Sequence, residues 1–246
     1  MAELLWKPSE EQIRQTRMFR FMQIVNDRYH KSFDEYEPLY HWSIDNIPEF
    51  WAMLWEFAQI KASRPYEQVV DDLSKMPGAE WFSGARLNFA ENLLRYRDDH
   101  TAVIFKSEAR APVSMTYAKL YEEVARVASA MKEMGVSPGD RVAGFMPNMP
   151  QTIIAMLAAA GLGAMWSSCS PDFGIKGVLD RFGQIKPGLL FTADGYFFKG
   201  KRIDSMERIS DILPGIPSVE KVVVVPYTQK EPDIRRVPKS VLYDDF

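Results

Sequence analysis

Between residues 156 and 194 the chain reads MLAAAGLGAMWSSCSPDFGIKGVLDRFGQIKPGLLFTAD: an apolar helix, a short strand, a capped second helix and another strand. Helix and strand alternating at such short spacing restrict the fold to the α/β class, because successive parallel strands need a crossover, usually a helix, between them. Ligands of such sheets gather at the carboxyl ends of the strands. The same rhythm surrounds the stretch. Strands are expected at 102–105, 141–146, 164–168, 188–192 and 222–225, the last an all-valine run of a kind that suits a buried parallel strand. Helices are expected at 117–134, 151–160, 172–184 and 202–212, and 114–117 leads into the first of them. In that helix Leu120, Val124, Val127, Ala128 and Met131 share one face, and Gly135 stops it before the turn Pro138-Gly139-Asp140. Pro147 and Pro150 bracket the start of the next helix. After Pro226 the chain is polar and proline-broken and reads as loop.

The first hundred residues have a different character. They hold all three histidines (His30, His41, His100) and five of the six tryptophans (Trp6, Trp42, Trp51, Trp55, Trp81). Helical periodicity is expected over 11–27 through Ile13, Met18, Phe21, Met22 and Val25. A second helix follows the cap region 43–46, with Pro48 in its first turn and Phe50, Met53, Leu54 and Phe57 inward. A turn at Ser83-Gly84 leads into a helix carrying Leu87, Phe89, Leu93 and Leu94. Aromatics at helical spacing mean core before they mean cofactor. The organisation expected is therefore a helical Trp-rich extension over 1–100 and an α/β part over 101–246, a mostly parallel sheet flanked by helices.

Composition removes several classes. Apolar residues make up 46% and charged residues 26%, ordinary for a globular protein. A net charge of −3 offers no electrostatic case for nucleic acid or an anionic membrane surface. The single Cys169 excludes an internal disulfide and a thiolate zinc cluster and fits a reducing compartment, so the cytosol is the expected location. The start, MAELLWKPSEEQ, has no secretory signal pattern. The longest apolar run, 153–166, contains Gly161 and Gly163 and falls short of the roughly 20 residues that span a bilayer.

Several motifs carry less chemistry than they first promise. Gly161-Leu162-Gly163 resembles the opening of a dinucleotide fingerprint, but Trp166 stands at the third glycine position and the glycines end a helix rather than open one. A GxxxxGK[ST] phosphate loop is absent from the sequence. Cys169 follows a strand and precedes a helix, yet the histidine base that a cysteine hydrolase requires is found only in the first hundred residues; a buried strand residue is the better reading. Ser170 reads as a helix cap, sharing that role with Asp172. The pairs Asp71-Asp72, Asp98-Asp99 and Asp244-Asp245 diverge on any regular element and make no metal site. The basic run Lys199-Gly200-Lys201-Arg202 follows a strand and a turn near the carboxyl edge of the sheet. Its spacing alone fits a solvated charge run, and three cations about a flexible glycine can also hold a phosphate.

Four blocks carry a resemblance: YEPLYHWSIDNIPEFWAMLWEF, EWFSGARLNFAENLL, SMTYAKLYEEVARVASAMKEMGVSPGDRVAGFMPN and the 156–194 stretch with its following glycine. Together they resemble the adenylate-forming acyl-CoA synthetases, with the Trp/Phe-rich start of the short-chain branch. WSSCSPDFG followed by VLDRFGQIKP is similar to the branch that uses acetoacetate. The resemblance covers nearly the whole chain and matches the amino-terminal third of the family pattern. It implies a two-step reaction in which ATP and acetoacetate give acetoacetyl-adenylate and diphosphate, with Mg²⁺ assisting. Coenzyme A then displaces AMP to give acetoacetyl-CoA.

Residue by residue, the resemblance places the CoA phosphates near Lys199, Gly200, Lys201 and Arg202, and the pantetheine arm along Ser170, Asp172 and Phe173. Acetyl-type relatives carry arginines where this chain has mostly lysine, which keeps a phosphate contact but loses the planar fork. It assigns no catalytic residue and no metal ligand within the chain. The family's Ser/Thr/Gly-rich loop ending in Pro-Lys and its adenylation lysine do not occur in the 246 residues. ATP and Mg²⁺ are thus implied for the family and CoA alone for this chain, which is expected to be inactive by itself, a sequence cut short whose uncovered apolar surface invites aggregation. Two other readings stay open: a ligase for another short acid such as propionate or butyrate, and a noncatalytic module that binds CoA or a protein partner.

Overall fold

The structure, a computed structural model, describes residues 5–246; the start of the chain, read above as lacking a signal, lies partly outside them. The chain divides into two compact units, one ending at Leu87 and the other beginning at Asn88.

The first unit holds helices α1 (Glu10–Arg14), α2 (Arg17–Tyr29), α3 (Tyr36–Asp45) and α4 (Ile47–Phe57), then the antiparallel pair β1 (Gln68–Val70) and β2 (Trp81–Ser83). The single helix expected over 11–27 is two. Ser9 and Gln12 close a capping box on α1, and the Thr16 hydroxyl accepts from Phe19 N at 3.1 Å to start α2, so the polar Gln15-Thr16 step breaks an apolar periodicity that ignores it. Helix α3 was not foreseen; it lacks a side-chain cap, and its Pro38 falls in the first turn, where proline is tolerated. Phe21, Met22, Val25, Leu39, Trp42 and Met53 form the core, with Phe21 edge-on to Phe50 and Phe57 at 5.9 and 5.2 Å.

The second unit begins with α5 (Phe89–Leu93), shorter than expected because Asn88, not Leu87, opens it: its side chain accepts from Glu91 N at 3.1 Å. The same side chain donates to the Ala160 and Gly161 carbonyls. Strands β3 (Thr101–Phe105) and β4 (Val113–Thr116) form an antiparallel hairpin ahead of α6 (Tyr117–Glu133). Then come β5 (Arg141–Phe145), α7 (Pro150–Gly161), β6 (Met165–Cys169), α8 (Ile175–Ile185), β7 (Leu189–Ala193), β8 (Gly195–Phe198), β9 (Lys201–Asp204), α9 (Met206–Ile212), β10 (Lys221–Val225) and β11 (Ser240–Leu242).

Five strands build a parallel sheet in the order β11-β10-β7-β5-β6. Alternation along each strand sends residues to two cores. Val142, Leu189, Phe191, Val223 and Val225 meet α6 and α7 on one face; Ala143, Phe145, Leu190, Val222 and Val224 meet α8 and α9 on the other. Fully burying such a side chain stabilises by about 1.5–3 kcal/mol. The chain leaves β5 toward β6 and leaves β7 toward β10, so the connections diverge between β5 and β7, the switch point at which a parallel sheet opens a crevice.

Two expectations are corrected here. The tail after Pro226 is not all loop: 234–236 form a 3₁₀ turn and β11 adds a fifth parallel strand at the sheet edge, at three residues too short to announce itself. The helix expected at 202–212 begins only at Met206, because residues 201–204 pair with β8 as an antiparallel strand. No helix among the described residues is long and apolar enough to cross a membrane.

Candidate functional site

The carboxyl edge of the sheet is organised around one buried carboxylate. Asp194, fully buried at the end of β7, accepts through Oδ1 from Tyr227 N (2.7 Å) and Thr228 N (2.8 Å), and through Oδ2 from the Thr228 hydroxyl (2.6 Å) and Gln229 N (2.9 Å). A buried carboxylate is tolerated only with such partners. It ties the end of β7 to the loop after β10. Beside it, Thr192 donates its hydroxyl to the Phe145 carbonyl at 3.0 Å, joining β7 to β5 across the switch point.

From this anchor the chain runs out as the β8–β9 hairpin. Lys199 and Gly200 form its tip with φ of 51° and 73°, both left-handed, as a two-residue type I′ turn requires. The basic run therefore lies on a hairpin tip and its second strand, not at the start of a helix. Lys199, Lys201 and Arg202 are exposed. Lys199 Nζ lies 5.4 Å from the Phe198 ring centroid, and Arg202 stands 3.9 Å from Asp204, which also faces Arg236 at 3.6 Å. The Phe197 ring packs edge-on to Tyr227 at 5.8 Å, and Arg110 donates to the Tyr227 carbonyl while lying over its ring.

Ser170, Asp172 and Phe173 lie together in the turn that follows β6, all three exposed. Neither Ser170 nor Asp172 caps α8. The cap position is Gly174, without a side-chain bond, because Phe173 N instead donates to the Ser170 carbonyl at 3.2 Å and closes a turn before the helix begins. Phe173 carries the Arg181 guanidinium 4.4 Å from its ring centroid. This turn and the hairpin are joined through α9, whose Arg208 donates to the Pro171 carbonyl at 2.6 Å. Cys169 is buried on β6; burial pushes its thiol pKa up, with Arg181 opposing, which is the state of a packing residue rather than a nucleophile.

Glu108 and Asp194 escaped the sequence reading. Glu108 Oε1 and Oε2 accept from Lys199 N at 3.2 Å and Gly200 N at 2.8 Å. A carboxylate seated on these two donors shows that the tip accommodates an anionic oxygen pair. Among the described residues no group of three or more His, Cys, Asp or Glu side chains could hold a metal ion.

The sequence pattern of the AMP-binding enzyme family matches residues 89–242. The chain belongs to the AMP-binding enzymes. A second pattern, the acetyl-coenzyme A synthetase N-terminus, matches residues 36–93 of this AMP-binding chain. Among curated AMP-binding relatives, the acetoacetyl-CoA synthetase of Danio rerio is 44% identical over the whole chain and 37% of its own length. That of Rhizobium meliloti is 41% identical over 91% of the chain and 34% of its own length. The malonamoyl-CoA synthetase of Penicillium aethiopicum is 40% identical over 91% of the chain and 32% of its own length. Among solved structures, the acetoacetyl-CoA synthetase from Streptomyces lividans superposes with a TM-score of 0.90 at 37% identity, over 99% of this chain and 38% of that one. The resemblance to acetoacetyl-CoA synthetases is thus shown across the chain, and the chain spans only 32–38% of the length of these relatives.

Proposed function

We propose that the chain forms part of an acetoacetate–CoA ligase that makes acetoacetyl-CoA from acetoacetate, ATP and CoA through an acyl-adenylate. The whole-chain match to acetoacetyl-CoA synthetases carries this reading. Within it, the β8–β9 hairpin receives CoA phosphates at Lys199, Gly200, Lys201 and Arg202. The turn of Ser170, Asp172 and Phe173 borders the pantetheine arm. The exposed lysines and the anion-holding turn support this assignment. ATP and Mg²⁺ belong to the proposed activity as a whole, and the cytosol is its proposed location, supported by the single free Cys169. The 246 residues are proposed not to adenylate acetoacetate by themselves.

Calorimetric titration of the chain with CoA tests the hairpin assignment. Changing Lys199, Lys201 and Arg202 together to Ala is expected to abolish binding; equal binding by both proteins would remove the hairpin from the site. A ligase for a different short acid is the second reading, favoured by the malonamoyl-CoA synthetase relative at nearly the same identity. Diphosphate release by the product of the complete reading frame, compared for acetoacetate, malonamate, propionate and butyrate, separates the two.

A further inference from the structure

The core of the first unit is open on one side. Between α2, α3 and α4 lies a groove of about 270 Å³ walled by Phe21, Leu39, Phe50, Leu54 and Phe57. Phe21 and Leu39 are buried, whereas Phe50, Leu54 and Phe57 are only half-buried although they pack on the same core. The groove thus leaves core surface in contact with water, and covering it with an apolar occupant is favourable. Its size, just under the roughly 300–1,000 Å³ of pockets for drug-sized ligands, suits a small molecule.

The polar groups around the groove specify the head of that occupant. Among the described residues, Arg17 is the one charged side chain that lines it. The ion pairs of the first unit, among those residues, use Arg28, His41, Arg64 and Lys75, so the Arg17 guanidinium has no carboxylate partner. Arg17 is also the first residue of α2, where the helix dipole adds the same sign. The Ser43 hydroxyl, on the groove wall, already donates to the Tyr40 carbonyl at 2.7 Å. The adjoining cavity shares Met18, Tyr36 and Leu39 but carries Glu10, Asp34 and Glu35 beside Lys7 and Arg14, and so lacks this unopposed charge. Apolar walls with a single free guanidinium are the complement of a small monocarboxylate bearing an alkyl or aryl tail. The guanidinium fork can take both carboxylate oxygens, and one positive charge balances one negative, which leaves a dianionic phosphate half-compensated. We infer that this groove is a binding site for such amphipathic monocarboxylates, a site that depends neither on the hairpin nor on the ligase reading.

Octanoate is the probe, with octanol and octylammonium as controls that share its tail. The readout is the methyl resonance of Met18, which lines the groove. In the intact chain, octanoate is expected to half-saturate the Met18 shift at about three- to tenfold lower concentration than octanol, the size of a charge-assisted contact at an exposed site. Octylammonium is expected to be weakest. Hexanoate is expected to bind about three- to tenfold more weakly than octanoate, since it buries two fewer methylenes. Arg17→Gln removes charge from an exposed side chain, so folding is kept. It is expected to bring octanoate down to the affinity of octanol and to leave octanol unchanged. Ser43→Leu puts bulk into the groove and is expected to abolish binding of both, with the Met206 methyl of the second unit unmoved throughout. Equal binding of octanoate and octanol by the wild type overturns the inference, as does an octanoate preference that survives Arg17→Gln. Octanoate binding that Ser43→Leu leaves unchanged puts the ligand elsewhere and overturns it. A Met18 methyl that octanoate does not move, the result if a second copy or another polypeptide segment covers the groove, overturns it too.

Discussion

The Asp194 carboxylate meets the Thr228 hydroxyl at 2.6 Å, and the same carboxylate accepts the backbone N–H groups of Tyr227, Thr228 and Gln229. One side chain thus satisfies four donors where β7 and β10 end, and the hairpin that carries the basic run springs from the next residue.

Replacing Asp194 with Ala leaves those donors unpaired in a buried place. The expected loss is about 3 kcal/mol in chemical denaturation, since each orphaned buried donor costs about 1–3 kcal/mol before relaxation. Asp194→Asn keeps the volume but turns an amide NH₂ toward donors, so it is expected to recover only part of the loss.

Gly195 is required for close approach. A Cβ there would stand 2.3 Å from the Ile203 carbonyl oxygen and 3.1 Å from Thr228 Cγ2. Gly195→Ala is expected to splay β8 from β9, costing about 1–3 kcal/mol as overpacking against backbone does. Faster hydrogen exchange at 196–203, with the parallel strands unaffected, would be the signature.

Tyr243 is buried, and burial pushes its pKa up to about 12, with the nearby Arg126 charge opposing. In the unfolded chain the phenol ionises near the ordinary value of 10. Stability from this group is therefore full below pH 10 and is lost as pH rises toward 12, by roughly 2–3 kcal/mol. Its hydroxyl has no hydrogen-bond partner among the described residues. Tyr243→Phe is expected to match or exceed wild-type stability at pH 7 and to lose less between pH 10 and 12, read from urea midpoints.

In the first unit, Asn26 grips Phe33 twice, donating to its carbonyl at 2.8 Å and accepting from its N–H at 2.9 Å. This fixes the turn after α2, where His30 takes a left-handed conformation. Asn26→Ala is expected to cost about 1–2 kcal/mol, seen as increased exchange across residues 17–57.

Elements buried on both faces were legible in the sequence. Val222–Val225 and the apolar α7 announce themselves because continuous burial leaves a continuous apolar run. Elements held by a neighbour distant in sequence were not. Residues 201–204 read as the start of a helix since their strand pairing depends on β8, and β11 is recognisable only by its register with β10. The basic run was visible as charge, whereas Glu108 reaches it from 91 residues away, a contact without a local signal. The expected cap at Ser170 failed for a similar reason: a backbone bond from Phe173 closed the turn first.

The strand order has a consequence for how the molecule is made. β5 lies inside the sheet; β6 is laid against one side of it, and β7, β10 and β11 are added outward on the other in the order of their synthesis. Chains emerge from the ribosome amino terminus first. The sheet can thus assemble while translation proceeds, each strand after the first arriving beside a neighbour already made.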